Sequence, residues 1–111
     1  MNNIVVIVTH VKNLRSSFEE PPTYNGSEYE MVATVSVPED YPEIGMLETA
    51  FERTNTIDHA WWENPEVTKL FKTLGCRSTS TGDVVILPGN RPFRVEGCGW
   101  SRLVDGTWTE L

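Results

Sequence analysis

Hydrophobic and polar positions in the first third of the chain follow the patterns of β-strands. Residues 3–11 are apolar and mostly β-branched, which predicts a central strand covered on both faces. Residues 28–37 alternate, with every second side chain from Tyr29 to Val37 apolar, and this predicts a half-buried second strand. Between them, residues 12–26 contain serines, prolines and a glycine, which is typical of a loop. The two strands can form an antiparallel pair joined by that loop.

Two stretches in the middle of the chain carry apolar residues at helical spacing. Residues 44–54 place an apolar stripe opposite Glu48 and Glu52, which predicts one helix. Residues 65–75 carry apolar side chains at i, i+3, i+4 and i+7, which predicts a second helix. Asn64 is a suitable N-cap for it, proline occupies its first position, and a glycine follows its last apolar residue.

The last third of the chain shows strand and turn signals. An apolar run at 84–87 predicts a buried strand, and a Pro-Gly turn leads into a returning strand over 91–100. Two glycines near the end of that strand indicate a bulge or a close backbone approach. Asp-Gly at 105–106 predicts a further hairpin. The pattern as a whole predicts a single α+β domain over 1–111, with a mostly antiparallel sheet of about five strands and two helices packed on one face.

Charge is distributed unevenly along the chain. The formal net charge is −7 and the sequence pI is about 4.7. Between Glu19 and Glu66 there are twelve acidic residues against Arg53 alone. Such asymmetry can steer a basic partner toward one face, whereas the plainer interpretation is a solvated surface that keeps the protein in solution.

Cysteine and histidine are too sparse to predict a metal site or a disulfide framework. Cys76 and Cys98 form no C-x-x-C motif, although a bridge between them remains open. His10 and His59 lack metal-ligand spacing, so no metal and no cofactor is predicted. The longest apolar run, residues 4–8, is too short to cross a membrane, so no membrane partner is expected and a cytoplasmic location is predicted.

Catalysis is not predicted. Asp58, His59 and Glu63 could support acid–base chemistry, but a catalytic histidine needs an orienting partner and a substrate pocket, and the sequence indicates neither. The chain is therefore expected not to be an enzyme.

Two further motifs each have two possible roles, one structural and one in binding. Adjacent Trp61 and Trp62 predict one core anchor and one partly exposed ring, either for core packing or for a partner contact. The loop Arg77–Asp83 is small and polar, so its hydroxyls can hold a tight connection. It can also form an anion-binding nest, for which the candidates are Arg77, Ser78, Ser80 and Gly82.

The segment Arg77-Ser-Thr-Ser-Thr-Gly-Asp-Val-Val85, followed by Phe93-Arg-Val-Glu-Gly-Cys-Gly-Trp100, resembles small YodL-like domains of plasmids and phages. The pieces Asn55-Thr-Ile-Asp58 and Trp61-Trp-Glu-Asn64 look like parts of small proteins carried on mobile elements. The match covers about Met46 to Arg102. The resemblance implies a phage or plasmid accessory protein, and it supplies no catalytic residues.

These observations favour a non-enzymatic accessory protein that binds and inhibits or redirects a host protein. One form of this is an acidic decoy for a nucleic-acid-binding protein, of the anti-CRISPR or anti-restriction type. The residues predicted to contact the partner are Glu28, Glu30, Glu48, Glu52, Trp61 and Trp62. The alternatives are a homodimer that pairs sheet edges and a small-ligand or anion-binding module. Direct nucleic-acid binding through Arg77, Arg91, Arg94 and Arg102 is disfavoured by the overall charge.

Overall fold

The computed structural model describes residues 2–12 and 25–111, which form one antiparallel sheet of seven strands and a single α-helix. The strands are β1 (Asn3–Val11), β2 (Tyr29–Pro38), β3 (Val67–Lys69), β4 (Val84–Leu87), β5 (Arg91–Glu96), β6 (Gly99–Val104) and β7 (Thr107–Glu110). The helix is α1 (Glu43–Arg53). The strand order is β3-β2-β1-β4-β5-β6-β7. Most of the predicted loop between β1 and β2, with Glu19 and Glu20, lies outside the described residues.

The central position of the first strand and the first helix are confirmed, whereas the predicted cover on both faces of that strand is wrong, because Val5 is 57% exposed. β1 pairs with β2 on one side and with β4 on the other, and Val6 and Val8 have no exposed surface. α1 packs on one face of the sheet, against β1, β2 and β4. Its Met46, Leu47 and Ala50 are buried, as the apolar stripe predicted.

A bulge in β2 breaks its predicted alternation. Val8 pairs with Ala33 and Thr9 pairs with Met31, so Val32 is the extra residue. Because side chains alternate along a strand, this insertion changes which residues of β2 face the helix. Val32 is buried at 3% exposure while Met31 is 57% exposed. The prediction that Met31 lies on the core side is therefore wrong.

The predicted fold class is wrong in both counts, because the described residues contain seven strands and one helix instead of about five strands and two helices. The second predicted helix, 65–75, is absent. Its place is taken by β3, which pairs antiparallel with β2, and by an irregular segment. The predicted strand over 91–100 is also interrupted, since a turn at Gly97–Cys98 separates β5 from β6.

Backbone pairing with β2 explains why 65–75 is not helical. The Ser36 amide donates to the Glu66 carbonyl, and the Leu70 amide donates to the Val32 carbonyl. The Asn64 side chain, predicted as an N-cap, instead donates to the carbonyl of Arg53 at 2.8 Å. These long-range hydrogen bonds override a local helical preference that is only a weak prior.

The apolar face predicted for that second helix is not buried as a unit. Phe71 is 7% exposed, but Leu70 is 41% exposed and Leu74 is fully exposed. A helical stripe would have placed all three against the core. The helical spacing of apolar residues in 65–75 therefore does not correspond to a helix in the structure.

The core lies between α1 and the sheet and extends to the two aromatic residues Trp61 and Phe71, whose ring centroids are 5.7 Å apart. Trp61 lies in a 3-10 turn, Trp61–Glu63, that brings it against the sheet. Its indole N–H donates to the carbonyls of Cys76 and Arg77 at 3.2 and 3.1 Å. In the described part of the chain, no helix combines the length and the apolar character needed to cross a membrane.

Candidate functional site: the acidic helix and the polar cluster beneath it

The outer side of α1 carries the strongest concentration of acidic residues on a defined element. Burial of one stripe of the helix directs Glu48 and Glu52, which are one turn apart, outward, and both are exposed. Glu39 and Asp40 are exposed in the turn that leads into the helix. We call these four residues the α1 surface.

Few cations of the chain neutralise the α1 surface. Within the described residues, Glu39, Asp40 and Glu48 form no ion pair, and Glu52 pairs only with Arg53, at 3.3 Å. Arg53 also pairs with Glu66 at 3.2 Å, so its charge is shared between two carboxylates. The α1 surface therefore keeps a net negative charge.

The other residues predicted to contact a partner lie apart from α1 in the sequence and on different elements. Glu28 is half-buried at the end of a 3-10 turn, and Glu30 is exposed on β2, where it pairs with His10. Trp61 is 2% exposed and belongs to the core. Trp62 is half-buried and stacks edge-on against Trp61, with ring centroids 5.5 Å apart. Of the two tryptophans, Trp62 is the one that offers surface to a partner.

A cleft lies where α1 meets the turn between β5 and β6. It encloses about 180 Å³. Its walls include two carboxylates, two aromatic rings and two glycines: Glu48, Glu96, Phe51, Trp100, Gly97 and Gly99. Of these residues, sequence reasoning singled out only Glu48 as a contact. The sequence Gly97-Cys98-Gly99 is the feature from which the cleft could have been predicted, because two closely spaced glycines leave open space beside the backbone.

The loop Arg77–Asp83, predicted as either a tight connection or an anion nest, surrounds a carboxylate of its own. Asp83 has no exposed surface. The Arg77 guanidinium donates to its two oxygens at 2.6 and 2.8 Å, and the Ser80 amide donates at 2.8 Å. The Val11 amide of β1 adds a fourth hydrogen bond at 3.0 Å. Two of the donors suited to an external anion, the Arg77 guanidinium and the Ser80 amide, are thus engaged by Asp83.

The remaining predicted anion-binding residues take part in the same loop. Ser78 accepts a hydrogen bond from Arg77 through its carbonyl at 3.1 Å. Gly82 has a φ of 96°, a conformation that glycine adopts readily, and its amide donates to the carbonyl of Val95. Both residues therefore help to tie the loop to itself and to β5.

A buried histidine completes this polar cluster. His10 is 5% exposed, and its Nε2 lies 2.9 Å from the Thr79 hydroxyl and 3.8 Å from an Asp83 oxygen. Its Nδ1 lies 3.6 Å from the Cys76 sulfur. Thr79 is held in turn by Asn55, which donates to its carbonyl at 2.5 Å. The cluster joins β1 to the segment that precedes β4.

The electrostatics of the cluster keep its histidine and thiol neutral. Burial lowers the pKa of His10 to about 4, against the opposing attraction of Asp83. Burial likewise raises the pKa of the Cys76 thiol, although Arg77 acts in the other direction. The hydrogen bonds to Asp83 raise the pKa of Arg77 further. A nucleophilic cysteine reacts as a thiolate, and the raised pKa keeps Cys76 protonated at neutral pH. The contact between His10 and Cys76 is therefore arranged for packing within the cluster.

The two cysteines are free thiols, so the bridge left open by the sequence is not formed. The residues weighed for acid–base chemistry lie at the surface: the exposed His59 lies 3.2 Å from Asp58 and 2.8 Å from the side-chain oxygen of Asn64. Among residues 2–12 and 25–111, no group of three or more metal-ligating side chains is placed to hold an ion. The homodimer alternative needs an edge strand, and β3 and β7 lie at the two ends of the sheet.

Compared with known proteins, the chain matches no family model, no curated protein and no solved structure. The resemblance to YodL-like domains therefore stays a prediction that rests on its motifs.

Proposed function

We propose that this chain is a non-enzymatic accessory protein of a phage or plasmid that acts in the host cytosol by binding a host protein through the α1 surface. The partner presents a basic surface, as nucleic-acid-binding proteins do, and the carboxylates of α1 compete for it. The observation that carries the proposal is the net negative charge that the α1 surface keeps, on a helix packed against the sheet, because Glu39, Asp40 and Glu48 form no ion pair among the described residues and Arg53 is shared between Glu52 and Glu66. Opposite charges across an interface mainly accelerate association and select the partner.

The ion pairs formed by the arginine side chains favour a protein partner over a nucleic acid. Arg77 is bound to Asp83, Arg91 pairs with Glu43, and Arg94 pairs with Glu96 at 2.7 Å. Phosphate contacts would have to break these pairs, and a net charge of −7 repels a polyanion. Three of the four arginines considered for direct binding are thus already committed within the chain.

The test uses two variants of equal charge. Glu48→Gln/Glu52→Gln neutralises two carboxylates of α1, and Asp105→Asn/Glu110→Gln neutralises two exposed carboxylates of the hairpin formed by β6 and β7. Each variant and the wild type are immobilised and exposed to host lysate at about 50 mM and 200 mM salt, a range over which charge contacts weaken markedly. Retained proteins are quantified by mass spectrometry.

The expected result is a protein with a basic surface that the wild type and the hairpin variant retain and the helix variant loses. Equal loss by both variants would mean that only total charge matters, which would overturn the proposal. Retention that is unchanged in the helix variant would overturn it as well, because the α1 carboxylates would then contribute nothing.

A further inference from the structure

The cleft between α1 and the β5–β6 turn has the composition of a cation site. Glu48 is exposed at its rim, and Phe51 is half-buried beside it. Trp100 on β6 also lines the cleft and packs edge-on against Phe51, with ring centroids 6.4 Å apart, and only 5% of its surface is exposed. Carboxylates and aromatic rings both attract a cation, the rings through their quadrupole.

The second carboxylate of the cleft, Glu96, is only partly satisfied. Its Oε2 accepts a hydrogen bond from Arg94 at 2.7 Å, and its side chain is 19% exposed. A carboxylate can accept several hydrogen bonds through its two oxygens. Glu96 therefore retains acceptor capacity at the cleft after its contact with Arg94.

The turn keeps the cleft open. A Cβ added at Gly97 or at Gly99 would meet no heavy atom within 4 Å. Gly99 has a φ of 117°, where other residues are strained, whereas Gly97 does not have a positive φ. A larger side chain at Gly97 would thus narrow the cleft without backbone strain.

We infer that this cleft receives one arginine side chain of the partner protein. The inference rests on the proposed function and names the contact through which the α1 surface recognises its basic partner. At about 180 Å³ the cleft is smaller than the roughly 300 Å³ at which sites for drug-sized ligands begin, and it suits a single side chain.

Arginine fits this chemistry better than lysine. A guanidinium is planar, stacks on aromatic rings and donates to two carboxylates at once, because its five N–H groups form a rigid fork. An ammonium is compact and strongly hydrated, and it makes less use of flat aromatic walls. Glu48 on α1 and Glu96 on β5 both line the cleft, so two elements supply carboxylate acceptors to a guanidinium bound there.

The test titrates ¹⁵N-labelled protein with N-acetyl-arginine methylamide and follows amide and indole resonances by NMR. The expected result is a saturable shift at Gly97, Gly99 and the Trp100 indole, with a dissociation constant on the order of 1 mM. N-acetyl-lysine methylamide and N-acetyl-citrulline methylamide should bind at least about five-fold more weakly, since one lacks the fork and the other lacks the charge.

Two matched variants locate the site. Glu48→Gln should weaken binding of the arginine derivative at least about five-fold, whereas Glu110→Gln, exposed on β7 and outside the cleft, should change that affinity by less than about two-fold. Gly97→Leu should also weaken binding, by narrowing the cleft. Equal effects of the two glutamine variants, or equal binding of lysine and arginine derivatives, would overturn the inference.

The two failures can be told apart. If a basic host protein is retained through α1 but the arginine derivative shifts no cleft resonance, the inference fails and the proposed function stands. If the derivative binds in the cleft but no host protein depends on Glu48 and Glu52, the proposed function fails and the inference loses the partner that it names.

Discussion

Replacing Asp83 by asparagine is expected to remove the strongest polar anchor of the fold. The side chain has no exposed surface and accepts four hydrogen bonds, two from Arg77 and one each from the amides of Val11 and Ser80. Asparagine has nearly the same shape but carries no charge, and its NH₂ group would face donors. The substitution therefore isolates electrostatics from packing.

The expected loss follows from the burial of the pair. Removing one partner of a buried ion pair costs roughly 3–5 kcal/mol, because the other partner is left uncompensated. The side chain of Arg77 is 33% exposed and regains some hydration, so the lower end applies, about 3 kcal/mol. Since domains of this kind are stable by roughly 5–15 kcal/mol, Asp83→Asn is expected to be folded but marginal.

Urea unfolding followed by tryptophan fluorescence measures this loss. With a slope near 2 kcal/mol per molar urea, the midpoint should fall by about 1.5 M. The control is Asp105→Asn, an exposed aspartate in the β6–β7 turn, which should change stability by less than about 0.5 kcal/mol. A loss below about 1 kcal/mol in Asp83→Asn would refute the reasoning, because the buried pair would then be stabilising nothing.

Three further predictions concern individual side chains. Burial lowers the pKa of His10 to about 4, so as pH falls the unfolded chain binds a proton before the folded chain does. The free energy of unfolding should therefore decrease as pH falls from about 6.5 toward 4, by about 2 kcal/mol at pH 5. In urea titrations, His10→Gln should remove that part of the decrease. Cys98 is exposed while Cys76 is half-buried with a raised pKa, so a disulfide reagent at pH 8 should modify Cys98 at least about ten-fold faster, as peptide mass spectrometry would show. Leu74→Glu should change the melting temperature by less than about 3 °C, because Leu74 is fully exposed; a large drop would favour the predicted helix over the observed segment.

Local sequence patterns were sufficient to predict the elements that have clear signals within their own residues. β1, α1, the β4–β5 hairpin and the β6–β7 hairpin followed from β-branched runs, an apolar stripe, the Pro-Gly turn and the Asp-Gly turn, whereas the turn that separates β5 from β6 was not predicted. The same reasoning failed at 65–75, because apolar spacing and a good capping sequence are local signals, whereas the conformation there is decided by hydrogen bonds to Val32 and Ser36, far away in the chain. The bulge at Val32 is hidden for the same reason, since a register depends on the partner strand.

The site was accessible from the sequence only in part. The acidic residues of α1 could be placed on its outer side, because the opposite stripe is apolar. The role of Asp83 could not be foreseen, since its donors come from β1, from the start of the loop and from its middle. His10 gave no sequence signal, because its partners Thr79 and Cys76 are 69 and 66 residues away. The cleft depends on the packing of α1 against the β5–β6 turn, and no single motif encodes that contact.

The most direct test of the central claim is a calorimetric titration of the retained host protein, purified, into wild type, Glu48→Gln/Glu52→Gln and Asp105→Asn/Glu110→Gln. Binding through the α1 surface predicts that the helix variant loses about ten-fold or more in affinity and that the hairpin variant loses less than about three-fold. Equal dissociation constants for the two variants would contradict the claim that α1 is the binding surface.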